Sequence, residues 1–90
     1  MRVGAIDIGS NSVRLLVADF PGDDPWSPTL ETVARAGEPC RLSRGMHETG
    51  RIADDLVDRA VIVVQEFARR ARSLGATPAN LRLLIKTLSR

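Results

Sequence analysis

The chain has 90 residues, of which 43% are hydrophobic and 27% charged, and its formal net charge is +2. This length allows one small domain or a piece of a larger one, and the balanced composition excludes an intrinsically disordered chain. No apolar run reaches the roughly 20 residues of a membrane span, and the N-terminus lacks a secretory signal, so we expect a cytoplasmic protein that is not bound to a membrane.

The basic residues are unevenly distributed. Residues 1–30 carry two arginines against four aspartates, whereas residues 31–90 carry 11 basic against seven acidic side chains. The basic part could face an anionic ligand, because positive potential concentrates anions, or it could be a solvated helix face. Nucleic-acid-binding domains usually have a denser basic patch, so we expect no nucleic-acid partner.

The first segment predicts two strands joined by a tight turn. Residues 3–8 form a short apolar run, residues 9–12 read Gly-Ser-Asn-Ser, and residues 13–18 resume the apolar pattern. Near-continuous hydrophobicity of this kind is typical of strands covered on both faces. Three prolines within residues 20–28 predict a loop, and alternation over residues 29–36 predicts a third strand.

One long amphipathic helix is predicted over residues 54–74, after a polar connection over residues 37–51. Gly75 and Pro78 predict where the helix ends, and residues 81–85 predict a fourth strand. The apolar side chains of the helix recur at three- and four-residue spacings and should form one buried stripe: Leu56, Ala60, Val63, Phe67, Ala71 and Leu74.

The predicted order is therefore β-β-β-α-β, an α/β fold. A helical crossover joins parallel strands, so the sheet should be mixed, with the first two strands as an antiparallel hairpin. One helix covers one face of the sheet only, and the apolar first strands call for a second cover. We therefore expect residues 1–90 to be the N-terminal portion of a larger domain, apparently truncated.

The turn at residues 9–12 is the strongest candidate for a binding site. Gly9 would let a ligand approach the backbone closely, and the amides and side chains of Ser10, Asn11 and Ser12 could converge on an anion. Asp7 precedes the turn and could hold Mg²⁺ beside a bound phosphate. The alternative interpretation is an ordinary hairpin turn.

Two stretches of the chain resemble the exopolyphosphatase and guanosine pentaphosphate phosphatase (Ppx/GppA) family. Residues 5–17 read Ala-Ile-Asp-Ile-Gly-Ser-Asn-Ser-Val-Arg-Leu-Leu-Val, and residues 41–52 read Arg-Leu-Ser-Arg-Gly-Met-His-Glu-Thr-Gly-Arg-Ile. Ser43 stands where the family commonly has glycine. The resemblance covers nearly all of residues 3–84 and implies a ribonuclease-H-like fold of the actin, hexokinase and Hsp70 ATPase superfamily.

The resemblance also implies an activity, which is hydrolysis of a phosphoanhydride. The substrate would be inorganic polyphosphate or guanosine pentaphosphate, the cofactor Mg²⁺, and full-length family members would be homodimers. Asp7, as metal ligand, and the phosphate-binding turn residues match the family's first phosphate motif. At residues 85–90 the match to a family Thr/Ser-rich segment is partial, and Arg90 is its candidate phosphate contact. The matching turn residues are Gly9, Ser10, Asn11 and Ser12.

Several alternatives stay open. A small-molecule kinase of the same superfamily fits the turn sequence less well, and a non-catalytic phosphate-binding or interaction module would need only the turn and the basic half. Arg14 either approaches the phosphate site or is solvated, and the arginines at 69, 70 and 72 either attract phosphate or form a solvated helix end. We expect His47 and Cys40 to be incidental loop residues.

We expect the 90-residue chain to release no phosphate from polyphosphate. No residue matches the family's water-activating glutamate or its second phosphate loop, and loss of such positioned groups removes orders of magnitude in rate. The measurement is phosphate release by the purified protein. Steady release that Asp7→Ala abolishes would contradict the expectation, whereas release that persists in this variant would come from a contaminating enzyme.

Overall fold

The computed structural model describes residues 1–20 and 30–85. The order of the main elements is the predicted β-β-β-α-β, with a one-turn helix and a 3-10 turn in addition. The predicted loop at residues 20–28 lies almost entirely outside the described residues. The elements are β1 (Arg2–Ile8), β2 (Ser12–Asp19), β3 (Glu31–Pro39), α1 (Met46–Thr49), α2 (Asp54–Ser73), the 3-10 turn (Pro78–Asn80) and β4 (Leu81–Ile85).

The four strands form one mixed sheet in the order β3-β2-β1-β4. β1 and β2 pair antiparallel as a hairpin around residues 9–12, and β2 pairs antiparallel with β3. β4 lies parallel to β1, which requires the long crossover that α2 provides. The predicted hairpin and mixed sheet are both confirmed. The carboxyl ends of β1 and β4 therefore lie at the same edge of the sheet as the turn.

The third strand and the connection after it differ from the prediction. β3 continues to Pro39, three residues beyond the predicted end, because it pairs with β2 as far as Ser12. Gly37 and Pro39 suggested a loop, but β3 is an edge strand of the described sheet, where proline is tolerated. The supposed loop at residues 37–51 also contains α1, so His47 lies in a helical turn. The side chain of His47 is outside the described part of the chain.

The core lies between α2 and one face of the sheet. Each predicted helix position except Leu74, which is half-buried, is buried, and Phe67 is only 8% exposed. α2 ends at Ser73, one residue before the predicted end, and Gly75 follows with a φ of +99°. Cys40 is also part of this core, at 2% exposed, rather than an open loop residue. The sheet contributes Ile6, Val13, Leu15 and Val17.

Small side chains let β1 and the C-terminal half of α2 approach closely. A Cβ atom at Gly4 would lie 3.2 Å from the Ala71 Cβ and 3.0 Å from the Leu81 Cδ1. Ala71 is completely buried. Glycine at this position therefore allows the strand and the helix to pack closely, since even one methyl group would force its neighbours to move.

The Arg2 side chain, at the start of β1, connects β1 with β2 and with the end of α2. Its Nε and Nη2 atoms donate to the two carboxylate oxygens of Asp19, both at 2.8 Å, and its Nη1 donates to the Leu74 carbonyl at 2.6 Å. The hydrogen bonds from Arg2 lower the pKa of the Asp19 carboxyl. One side chain thus fixes β1 to β2 and to the end of α2.

The opposite face of the sheet carries polar and apolar side chains, including Asp7, Arg14 and Leu16. Within residues 1–20 and 30–85, α2 is the one helix longer than four residues, and it packs on the other face. None of the helices in these ranges is both long and apolar enough to cross a membrane.

Replacing Phe67 by alanine should lower the free energy of unfolding by about 3–5 kcal/mol, because the ring leaves a cavity between α2 and the sheet. Urea denaturation followed by circular dichroism measures this loss. Val61→Ala is the matched control on the same helix, since Val61 is 49% exposed. Equal losses in the two variants would contradict the described core.

The Arg2–Asp19 pair should make stability depend on pH. Because the folded-state pKa of Asp19 is lowered, its contribution is complete above the carboxyl's unfolded pKa and is lost as pH falls through the folded value. Asp19→Asn should therefore reduce the acid-induced fall of the urea midpoint, relative to the unchanged chain. Asp58→Asn on the exposed side of α2 is the control. An identical pH profile for Asp19→Asn and the parent would refute the assignment.

Candidate phosphate-binding site

The turn between β1 and β2 is closed by its own backbone. The Gly9 amide donates to the Ser12 carbonyl oxygen at 3.0 Å, so this N–H is directed within the turn. The φ of Gly9 is not in the left-handed region, and an added Cβ would lie 3.4 Å from the Ser12 oxygen. The backbone conformation at this position therefore does not itself require glycine. What the glycine provides is space on the outer side of the turn.

Three backbone hydrogen bonds fasten the turn to the segment that follows β3. The Asn11 carbonyl accepts from the amides of Cys40 and Arg41, both at 3.0 Å, and the Ser10 carbonyl accepts from the Ser43 amide at 3.1 Å. Across a trans peptide the N–H points opposite to the preceding C=O. The amides of Asn11 and Ser12 are therefore directed away from residues 40–43.

Residues 40–43 alternate between buried and more exposed positions, and Arg44 follows as an exposed residue. Cys40 and Leu42 are 2% and 5% exposed, whereas Arg41 and Arg44 are exposed. The two arginines line a cleft beside the turn, which we call the arginine cleft. Its lining residues are Asn11, Ser12, Pro39, Arg41, Ser43 and Arg44.

The arginine cleft was not predicted, because residues 37–51 were interpreted as one polar loop. The signal that could have found it is the short alternation of apolar Cys40 and Leu42 with Arg41. Two apolar side chains that flank one arginine indicate that the arginine lies outside, although the backbone of Arg41 is left-handed rather than extended.

Asp7 lies on the open face of the sheet, away from α2. It is half-buried and lines a second cleft with Arg14, Leu16, Arg35 and Leu84. Arg14 is its cross-strand neighbour in the β1–β2 pairing, and side chains in such positions are close enough to interact. Arg14 therefore lies on the same face of the sheet as Asp7, and it is exposed.

The structure divides the predicted site residues between two clefts. Asn11 and Ser12 line the arginine cleft, and Asp7 lines the cleft on the open face. Gly9 and Ser10, which lie between Asp7 and Asn11 in the sequence, are half-buried. Arg90, the remaining candidate, lies outside the described residues.

The residues near the turn offer Mg²⁺ one carboxylate, that of Asp7, rather than a full set of protein ligands. Among residues 1–20 and 30–85, no three His, Cys, Asp or Glu side chains are grouped as metal ligands. Mg²⁺ commonly keeps several waters and binds through one or two carboxylates together with substrate phosphates. Asp7 therefore fits the ion as a single protein carboxylate whose partners are water and phosphate.

The arginines near the end of α2 are not brought to the turn. Arg69, Arg70 and Arg72 are exposed, and the end of their helix lies beside the start of β1, where Arg2 contacts the Leu74 carbonyl. The turn follows the opposite end of β1, about 20 Å away for a strand of this length. These three arginines are therefore a separate surface.

The known proteins that are similar to this chain in sequence include exopolyphosphatases. No protein-family model matches the chain. It is 39% identical over 67 residues to exopolyphosphatase 2 of Mycobacterium tuberculosis, covering 74% of this chain and 21% of that protein. It is 35% identical over 75 residues to exopolyphosphatase 1 of Mycobacterium bovis, covering 83% of this chain and again 21% of the relative. The chain thus spans about a fifth of these curated relatives.

Solved structures with a similar fold come from the same group of proteins as the sequence relatives. The crystal structure of the Aquifex aeolicus Ppx/GppA family member matches with a TM-score of 0.76 and 29% identity, over 94% of this chain and 25% of that one. An exopolyphosphatase from Cytophaga hutchinsonii matches in fold, with a TM-score of 0.74 and 22% identity. The predicted ribonuclease-H-like fold is thereby confirmed. By sequence and by fold, this chain resembles part of the members of the Ppx/GppA phosphatase family.

Proposed function

We propose that this chain supplies the first phosphate-binding turn and a metal-binding carboxylate of a phosphohydrolase. The reaction would release the terminal phosphate of inorganic polyphosphate or of guanosine pentaphosphate. Relatives named exopolyphosphatase support the polyphosphate half of this proposal. The observation that carries it is the turn at residues 9–12, in which the Ser10 and Asn11 carbonyl groups are held by residues 40–43.

The proposed phosphate contacts follow from that backbone arrangement. With the carbonyls of Ser10 and Asn11 bonded to residues 40–43, the amides of Asn11 and Ser12 point the other way and can donate to an anion. The side chains of Ser10, Asn11 and Ser12 add hydroxyl and amide donors. Gly9 contributes room for close approach rather than an N–H group.

Phosphoryl transfer depends on this kind of positioning. Little covalent help is required from the protein, and catalysis comes from orientation and from neutralising charge on the phosphoryl oxygens. Bound Mg²⁺ would supply part of that neutralisation. Asp7, at the end of β1, would hold the ion's water shell against the phosphate. The turn donors would fix the orientation of the phosphate itself.

Titration with inorganic phosphate should shift the backbone amide resonances of residues 10–12, with millimolar affinity. Ser10→Ala should weaken binding about three- to tenfold, because it removes one donor and leaves the amides. Gly9→Val should abolish binding, because a branched side chain would occupy the open outer side of the turn. Mg²⁺ should strengthen binding in the parent and have no effect in Asp7→Asn. Amide chemical shifts measured by NMR provide the readout.

The surface formed by Arg69, Arg70 and Arg72 is the internal control of this titration. It is basic and exposed, but it lies at the other end of β1 from the turn. If the largest shifts occur in this surface while residues 10–12 do not respond, the proposed phosphate turn is wrong.

A further inference from the structure

We propose that Arg41 and Arg44 bind the phosphate groups that follow the terminal one, so that the arginine cleft accepts a chain of phosphates. This inference rests on the proposed function, since the turn would hold the terminal group. It adds to that proposal two positively charged residues and their positions relative to the turn.

The first support is the shared lining of the cleft. Arg41 and Arg44 line it together with Asn11 and Ser12, so the cleft directly borders the turn. Ser43 also lines the cleft, and its amide is bonded to the Ser10 carbonyl. The turn and the arginines therefore belong to one continuous surface.

The second support is the fixed backbone beneath Arg41. Its φ is +50°, which is unusual for a residue other than glycine and costs conformational energy. The conformation is held by the bond from its own amide to the Asn11 carbonyl and by the Arg44 amide, which donates to the Arg41 carbonyl at 3.0 Å. Buried Cys40 and Leu42 anchor the segment on either side. Both arginines thus leave the backbone at fixed positions beside the turn.

The third support is the charge of the cleft. Of the ion pairs within residues 1–20 and 30–85, none uses Arg41 or Arg44. No acidic residue lines the arginine cleft. Both arginines also line a neighbouring cleft, where the acidic Asp55 is accompanied by the basic Arg59. The guanidinium fork matches phosphate oxygens in pairs, and two of them can bridge neighbouring groups of one chain.

The test compares inorganic tripolyphosphate with orthophosphate on the purified 90-residue protein. We expect tripolyphosphate to bind the parent about tenfold more tightly. The double variant Arg41→Asn/Arg44→Gln should remove this preference, and asparagine is chosen because it tolerates a positive φ. Added salt should reduce the preference in the parent, because exposed charges are screened.

The matched control is Arg70→Gln/Arg72→Gln, which removes the same charge at the far end of α2 and should retain the preference. If both double variants lose it equally, net charge rather than the cleft is responsible and the inference is overturned. If the double variant at 41 and 44 loses the native amide spectrum, Arg44→Gln alone should still reduce the preference. An unchanged ratio in Arg44→Gln and in every folded variant would refute the inference.

The titrations also separate this inference from the proposed function. Orthophosphate shifts at residues 10–12, with no effect of the arginine variants on the tripolyphosphate ratio, refute the arginine cleft and retain the turn. Tripolyphosphate shifts at residues 41–44, with no orthophosphate response at the turn, refute the turn as the terminal site. Guanosine triphosphate carries the same phosphate row on a nucleoside, and its affinity relative to tripolyphosphate identifies which source the cleft prefers.

Discussion

The hydrogen bonds from residues 40–43 to the carbonyls of Ser10 and Asn11 determine much of the chemistry at this edge of the sheet. They fix which side of the turn presents N–H groups, because each carbonyl held on one side leaves the next amide on the other. They also hold Arg41 in a left-handed conformation beside the turn. A change at the end of β3 would therefore alter the turn without touching its sequence, and backbone pairing rather than any side chain couples the two.

The sequence predicted the parts of this arrangement that depend on periodicity. The apolar spacing of α2 and the turn at residues 9–12 were both recovered, because burial on one face leaves a regular pattern. The end of β3 was missed because pairing with β2 outweighed the local signals of Gly37 and Pro39. The position of Arg41 was missed for a related reason. Its own amide and the amides of Cys40 and Ser43 bond to residues 29–33 positions away in the chain, and local patterns carry no information about such pairing.

The β4 edge of the sheet is apolar and exposed. β4 is an edge strand of the described sheet, and Leu83, Leu84 and Ile85 are all more than half exposed. An apolar groove runs between this strand and α2, lined in part by Val57 and Val61. Exposed apolar edges favour pairing between chains, so dilute conditions matter for any binding measurement on this protein.

The division of the candidate residues between two clefts would suit the proposed phosphoryl transfer. Charge on the transferred group spreads over oxygens that point in different directions, so donors gathered on one side neutralise only part of it. Asp7 lies near the end of β1 on the open face, and Arg41 lies beside the turn on the side of α2. The hairpin between them contributes only backbone and small polar groups. A turn of glycine, serine and asparagine keeps the side chains between the two clefts small.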